Sequence, residues 1–227
     1  MARWEIAIYY VMNFTTFLCF ICSIKLWGKS KMAYMKLFLL YPAISAVFTL
    51  VIFLLTLKTP RPRTEIQLIV TLSIIFHYYI LARVLLLIQP SKSCQKPQNI
   101  LFIIFGILML LFLVKEIRSQ ADYSTFFIAN SGLIISCLFY FNSLIRYRGP
   151  KSLKDDPGFW IAAGVLLGMG FNIPIYASMN LLRSTLKLEY LMAVNSCAGM
   201  GFSIMYCFFT KAILVYRKNN KLFDIHA

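Results

Sequence analysis

The chain has 227 residues, of which 60% are hydrophobic and 14% charged, and its mean hydropathy is +0.74. This composition excludes a soluble globular domain and leaves room for about seven membrane spans of 20 to 25 residues with short loops. The net charge of +15 does not indicate a nucleic-acid partner, because the Lys and Arg residues lie between apolar runs and not on one soluble face.

Apolar runs bounded by charged and turn-forming residues follow one another along the chain. They predict spans at about residues 5–24, 36–56, 66–88, 99–114, 123–145, 157–181 and 189–213. The first run is predicted to be a retained span and not a signal peptide, since only Arg3 precedes it and no small-x-small cleavage site follows. No linker or repeat divides the chain. We therefore expect one domain over residues 1–227, an all-α bundle of seven transmembrane helices.

Lys and Arg residues are distributed unequally between the two sides of the predicted membrane. Fifteen lie in the loops after spans one, three and five and in the carboxyl tail, and eight lie on the other side. The positive-inside rule then places the amino terminus outside and the carboxyl terminus in the cytoplasm. Five of the eight acidic residues fall on the outer side, so the inner face is expected to lie against anionic lipid.

Polar side chains recur at helical spacing on six of the seven predicted spans, whereas span four is almost purely apolar from residue 100 to 114 and is expected to face lipid. Hydrogen-bonding groups in hydrocarbon seek internal partners, so the stripes predict a shared polar interior. These groups either bind the helices to one another or line a ligand-binding cavity. The candidate ligand-binding residues are Asn13, Ser45, His77, Asn130, Asn172, Tyr176 and Asn195.

His77 is the titratable side chain that lies nearest the predicted bilayer midplane. It is either a proton switch, because imidazole titrates near neutral pH, or a neutral side chain satisfied by a hydrogen bond to Ser or Tyr. Arg83 lies nearer the cytoplasmic end of the same span. Its long side chain can reach the membrane interface, so we expect it to fix the orientation of the span first and to be a site residue second.

Span six carries the most distinctive local signals. Asp155 and Asp156 followed by Pro157 predict a capped helix start near residue 157. Asn172 then falls near the bilayer centre, and Pro174 leaves one backbone carbonyl without its usual partner. We expect a kink between residues 168 and 174, with Asn172 bonding the exposed carbonyl.

Span six also carries Gly164 and Gly168, at the small-x-x-x-small spacing that lets helices approach closely.

Several kinds of chemistry are disfavoured by what the sequence lacks. No intramembrane pair of carboxylates, His-x-x-x-His motif, Gly-x-Ser-x-Gly motif or glycine-rich phosphate loop is present, so an enzyme is not expected. Cys19-x-x-Cys22 lacks the second ligand pair of a zinc site, and no metal or cofactor is expected. A retinal protein would need a Lys deep in span seven, whereas Lys211 lies near the end of that span.

The segment Leu153–Trp160, after a fifth span ending in Tyr140, Phe141, Asn142 and Ile145, resembles small seven-helix membrane proteins of the Bacteroidota. The likeness extends over the whole length in hydropathy and is specific only at these residues. It implies a multi-pass protein of the bacterial inner membrane, similar to the membrane sensor units found with histidine kinases. His77 stands in the third span where a carboxylate would be expected in that family.

The expected function is a sensor or receptor-like module that binds a small or lipidic ligand and signals through a protein partner. That partner would be cytoplasmic or membrane-bound and would dock on the basic inner loops. A small-solute transporter or channel is the alternative, favoured by Asn172 and Pro174 in one span but disfavoured by the odd span number and missing repeat. A non-catalytic subunit, a pore-forming effector and homo-oligomers stay open, while membrane lipids are expected partners.

Overall fold

The computed structural model describes residues 3–30, 32–58, 63–119, 124–147, 152–185 and 188–225. Within these ranges every long element is an α-helix, and each is long and apolar enough to cross a membrane. The protein is therefore a multi-pass membrane protein, and the predicted all-α fold with seven spans is confirmed. The helices are α1 (Arg3–Ile24), α2 (Ala33–Lys58), α3 (Arg63–Leu87), α4 (Lys92–Ser119), α5 (Ser124–Tyr147), α6 (Pro157–Thr185) and α7 (Leu188–Ile225).

The α3–α4 connection is shorter than predicted. The predicted spans leave residues 89–98 as a connection, but α4 already begins at Lys92. Ser91 starts this helix, since its carbonyl oxygen accepts the Cys94 N–H at 3.1 Å and its Oγ accepts the Ser93 N–H at 3.3 Å. Pro97 falls in the second helical turn, where it removes only one backbone hydrogen bond.

Helix α7 is longer than predicted. The apolar run ends near residue 213, but the helix continues to Ile225. Its 38 residues correspond to roughly 57 Å at 1.5 Å per residue, well beyond a hydrocarbon core of about 30 Å. Lys, Arg and Leu in this extension have good helix propensity, so loss of hydrophobicity ended the span without ending the helix.

Six helices form a ring in the order α1, α2, α3, α5, α6, α7, and α7 packs back against α1. Helix α4 lies outside this ring against α3 and α5. Each triplet, α1–α2–α3 and α5–α6–α7, follows the ring in chain order. The last helix of each triplet contacts the first helix of the other, since α3 contacts α5 and α7 contacts α1. The fold therefore repeats one helix order on either side of α4, although the two halves share no convincing sequence similarity.

Helix α4 exposes an apolar surface on the outside of the bundle, as expected for the span predicted to face lipid. Ile100, Ile103, Ile107 and Leu111 are each more than half exposed and follow one another at helical spacing. Such an apolar surface is stable in hydrocarbon and would be unfavourable in water.

We call the end of the bundle with the α1–α2, α3–α4 and α5–α6 connections and the carboxyl end of α7 the basic face, and the other end the opposite face. Helix α6 begins at the basic face with Pro157, as predicted. Asp156 caps it, since its Oδ1 accepts the Gly158 N–H at 2.9 Å while its Oδ2 accepts the Tyr140 hydroxyl at 3.3 Å. The cap therefore also ties α6 to α5.

The extension of α7 is attached to the same connection. Asn219 Nδ2 donates to the Asp155 carbonyl oxygen at 2.9 Å, and the Lys211 ammonium lies 5.7 Å from the Trp160 ring centre. Trp160 Nε1 in turn donates to the Lys154 carbonyl oxygen at 2.9 Å. Movements of α6 and α7 are thus coupled at the basic face.

Farther from the basic face, α6 and α7 touch along glycines. A Cβ added at Gly168 would lie 2.7 Å from the Met205 Cβ, and one at Gly164 would lie 2.7 Å from the Phe208 Cβ. The two backbones also meet, since a Cβ at Gly201 would lie 2.8 Å from the Gly168 carbonyl oxygen. The predicted close approach at Gly164 and Gly168 is confirmed, and its partner is α7.

Candidate functional site

Ser45 of α2 and His77 of α3 form a hydrogen bond at mid-depth in the bundle. Ser45 Oγ lies 2.9 Å from His77 Nε2. The imidazole is flanked by aromatic rings, with its centre 4.8 Å from that of Tyr41 and 6.3 Å from that of Phe48. This is the arrangement expected of an intramembrane histidine satisfied by a neighbouring hydroxyl.

Tyr206 of α7 extends this polar group to two more helices. Its hydroxyl lies beside Ser45 and Thr16, and its ring centre is 6.1 Å from that of Tyr41. Thr16 and Tyr206 stand near the middle of the spans Ala7–Ile24 and Ser196–Asn219, so they share a depth with His77 in Ile69–Leu87. We call Thr16, Tyr41, Ser45, His77 and Tyr206 the midplane cluster.

Three members of the midplane cluster, Thr16, Tyr41 and Tyr206, were not among the candidate site residues. The two tyrosines are buried, at 0% and 4% exposure. Their signal was spacing, because Tyr41 lies four residues before Ser45 and Tyr206 four before Thr210 on polar stripes. Tyrosine also packs well in apolar cores, so the spacing alone did not separate a site residue from a core residue.

A second group of candidate residues lies between α5 and α6, nearer the opposite face. The rings of Phe126 and Tyr176 are in contact, with centres 4.6 Å apart and planes tilted by 30°. Asn130 and Asn172 each stand one helical turn farther toward the basic face on these antiparallel helices. The two amides therefore lie at the same height on neighbouring helices. Asn130 is 4% exposed and Asn172 is fully buried.

The contacts of the Asn172 amide differ from those predicted. Neither its Oδ1 nor its Nδ2 has a hydrogen-bond partner among the residues that the structure describes. The expectation that Asn172 bonds the carbonyl exposed by Pro174 is therefore wrong. The amide instead packs against α7, since a Cβ added at Gly201 would lie 2.5 Å from its Oδ1.

Asn13 and Asn195 complete the set of candidates. Asn13 is half-buried, and its Oδ1 is shielded from solvent with no partner in the described part of the chain. The side chain of Asn195 lies outside the described residues. The structure thus joins Ser45 to His77 directly, and it places Asn130, Asn172 and Tyr176 on one pair of neighbouring helices.

A further polar network lies near the basic face and had no sequence signal beyond its residue types. Ser143 Oγ donates to Gln89 Oε1, and Gln89 Nε2 donates to Gln98 Oε1. All three residues are buried. The network joins α5 to the α3–α4 connection and to the start of α4, which stabilises this corner of the bundle.

The chemistry available at mid-depth is that of neutral donors and acceptors. Over the residues that the structure describes, no group of three His, Cys, Asp or Glu side chains is placed to hold a metal ion. Comparison with protein-family models, curated proteins and solved structures finds no match. Function is therefore inferred from the arrangement of the residues themselves.

Proposed function

We propose that this protein is a sensor or receptor-like module of the bacterial inner membrane that binds a small or lipidic ligand in its polar interior. The supporting observation is the midplane cluster, in which α1, α2, α3 and α7 meet through polar side chains and not through apolar packing alone. A ligand that competes for the Ser45–His77 hydrogen bond, or that hydrogen-bonds the Tyr206 hydroxyl beside it, would change how these helices pack. It would signal by binding one helix arrangement more tightly than another.

Helix α7 supports the link from the interior to a partner protein. It carries Tyr206 in the midplane cluster and Asn219 at the basic face, thirteen residues apart or roughly 20 Å along the helix. Exposed cationic side chains surround that end of the bundle, among them Lys25, Lys36, Arg217 and Lys218. We propose that an acidic surface of a cytoplasmic or membrane partner docks there, alongside anionic lipid.

A ligand screen tests the proposal. The purified protein in nanodiscs is screened by thermal shift, with native mass spectrometry to detect bound molecules and partner proteins. We expect a compound that raises the melting temperature of the wild type, and a weaker shift in Ser45→Ala and Tyr206→Phe. The loss of one neutral hydrogen bond corresponds to about tenfold in affinity.

Ser178→Ala is the matched control, because among the described residues the Ser178 hydroxyl bonds the carbonyl oxygens of Pro174 and Ile175, both on its own helix. It should bind the compound as the wild type does. Equal shifts in all four proteins would show that the compound binds away from the midplane cluster. A compound that binds but leaves partner association unchanged would contradict the sensor function.

A small-solute transporter is the second candidate, and the helix order favours it. Transporters built from parallel repeats bind substrate between the repeats near the bilayer midplane. Here α1–α2–α3 and α5–α6–α7 have the same order in the ring, and Tyr206 brings one triplet against the other. Uptake of the screened compound into proteoliposomes separates the functions, since a transporter accumulates it inside and a sensor does not.

We also propose that the amino terminus is outside and the basic face is cytoplasmic, on the charge asymmetry of the loops. Single cysteines tested in a cysteine-free background should show this. Pro60→Cys is expected to react with a membrane-impermeant maleimide in intact cells, and Ser152→Cys only after permeabilisation. Labelling of both positions from the same side would contradict seven alternating spans, and the reverse pattern would invert the orientation.

A further inference from the structure

The contact between α5 and α6 near the opposite face combines two amides at the same height with an aromatic pair. The Phe126 and Tyr176 rings are in contact with centres 4.6 Å apart, and a second contact between these helices, Phe141 to Phe159 at 6.0 Å, fixes the same antiparallel register. In that register Asn130 and Asn172 occupy facing turns directly below the Phe126–Tyr176 pair. We call these four residues the amide site: Phe126, Asn130, Asn172 and Tyr176.

The amides of this site have hydrogen-bonding capacity that the chain does not use. Asn172 is fully buried, and neither its donor nor its acceptor has a partner among the described residues. Asn130 is 4% exposed, and its Nδ2 likewise lacks a partner there. Buried polar groups in folded proteins are nearly always hydrogen-bonded, and within hydrocarbon no bulk water replaces the missing partner. An occupant outside the chain is the arrangement that satisfies them.

The surroundings define the charge of that occupant. Residues 124–135 of α5, 168–179 of α6 and 196–203 of α7 contain no Asp, Glu, Lys, Arg or His. A charged ligand would lose its hydration here with no counter-ion in these three stretches to compensate, which costs several kcal/mol or more. A neutral ligand with one donor and one acceptor would match the unpartnered atoms, and the aromatic pair offers a surface for a flat apolar group.

We infer that the amide site binds a small uncharged molecule of the carboxamide or urea class, held by hydrogen bonds to Asn130 and Asn172 and packed against the Phe126–Tyr176 pair. The inference rests on the proposed receptor function, because it gives that function a ligand class, and it places this ligand at a site separate from the midplane cluster, nearer the opposite face. Signalling would follow from the contact between Asn172 and Gly201, which connects the site to α7.

The test uses benzamide and benzoate, which share a ring and differ in charge, with phenylurea as a second neutral probe. Binding to the protein in nanodiscs is measured by isothermal titration calorimetry. We expect benzamide and phenylurea to bind and benzoate not to bind. Asn130→Leu and Asn172→Leu should each weaken benzamide binding by about tenfold, the loss of one hydrogen bond. Asn142→Leu, which changes an exposed amide on α5, is the control and should bind as the wild type does.

Stability gives a second measurement that needs no ligand. If the Asn172 amide serves to bind an occupant, Asn172→Leu should raise the melting temperature of the empty protein. Leucine replaces an unpartnered buried amide with an apolar side chain of similar size. A fall in melting temperature would show that the amide holds the helices together through a water molecule, and would overturn the inference. So would the absence of benzamide and phenylurea binding, or equal binding of benzoate. Benzamide binding with no effect on partner association would retain the site and reject the receptor function.

Discussion

Gly201→Ala is expected to lower the free energy of unfolding by about 1–3 kcal/mol, the usual cost of overpacking a tight contact. The new methyl group would lie 2.5 Å from Asn172 Oδ1 and 2.8 Å from the Gly168 carbonyl oxygen. The second of these is backbone and cannot turn away, so α6 and α7 must separate. Gly168→Ala should act in the same way, because its methyl group would meet the Gly201 carbonyl oxygen at 2.8 Å.

Gly170→Ala is the matched control on the same helix. Its nearest neighbour would be the Ile134 Cδ1 at 4.0 Å, an ordinary contact, and alanine has a higher helix propensity than glycine by about 1 kcal/mol. Thermal unfolding in the same detergent or nanodisc should therefore rank Gly170→Ala at or above the wild type and Gly201→Ala below it. Equal melting temperatures for Gly170→Ala and Gly201→Ala would show that α6 and α7 are not packed as described.

The glycine contacts and the attachments at the basic face join α6 to α7 at two separate places. They meet at Gly168 and Gly201 in the bilayer and again through Asn219 and the Asp155 carbonyl oxygen beyond it. Helices held at two separated points tilt together more readily than they slide past each other. A ligand that displaces α7 at Tyr206 would therefore also move the start of α6.

The number and type of the elements could be predicted from the sequence because hydrocarbon imposes strong rules. Each span needs about 20 apolar residues, and each helix end needs polar or turn-forming residues. The start of α6 at Pro157 followed from the Asp156 cap, which the structure shows bonded to the Gly158 N–H. Helix ends outside the hydrocarbon obey weaker rules, which is why the start of α4 and the end of α7 differed from prediction.

The residue types of the candidate site could be predicted from the sequence, but which of those residues lie together could not. Spacing along one helix shows which side chains share a face, and this identified Ser45 and His77. Which faces meet depends on the order of the helices around the ring, and no local pattern encodes the contact of α3 with α5 or of α7 with α1. The partner of Asn172 was misassigned for the same reason, since its amide faces Gly201 of another helix and not its own backbone.

Pro174→Ala is expected to raise the free energy of unfolding and to weaken the ligand response. Proline inside a helix costs about 3 kcal/mol through one lost backbone bond and a steric clash, and alanine restores the bond to the Gly170 carbonyl oxygen. The surrounding packing has adapted to the proline and offsets part of that cost. We therefore expect Pro174→Ala to raise the free energy of unfolding by about 1–2 kcal/mol. Thermal unfolding of the wild type and the variant measures it.

The effect on response follows from where Pro174 stands on α6. Gly164 and Gly168 hold the helix against α7 on the basic-face side of the proline, while the Phe126–Tyr176 ring contact joins it to α5 on the other side. Pro174 separates these two attached segments, so a bend there would let one move without the other. Pro97→Ala, in the lipid-facing α4, restores one backbone bond far from this joint and serves as the control. If Pro174→Ala gains stability and keeps the full wild-type response, the proline only shapes the helix and the hinge between residues 168 and 174 is rejected.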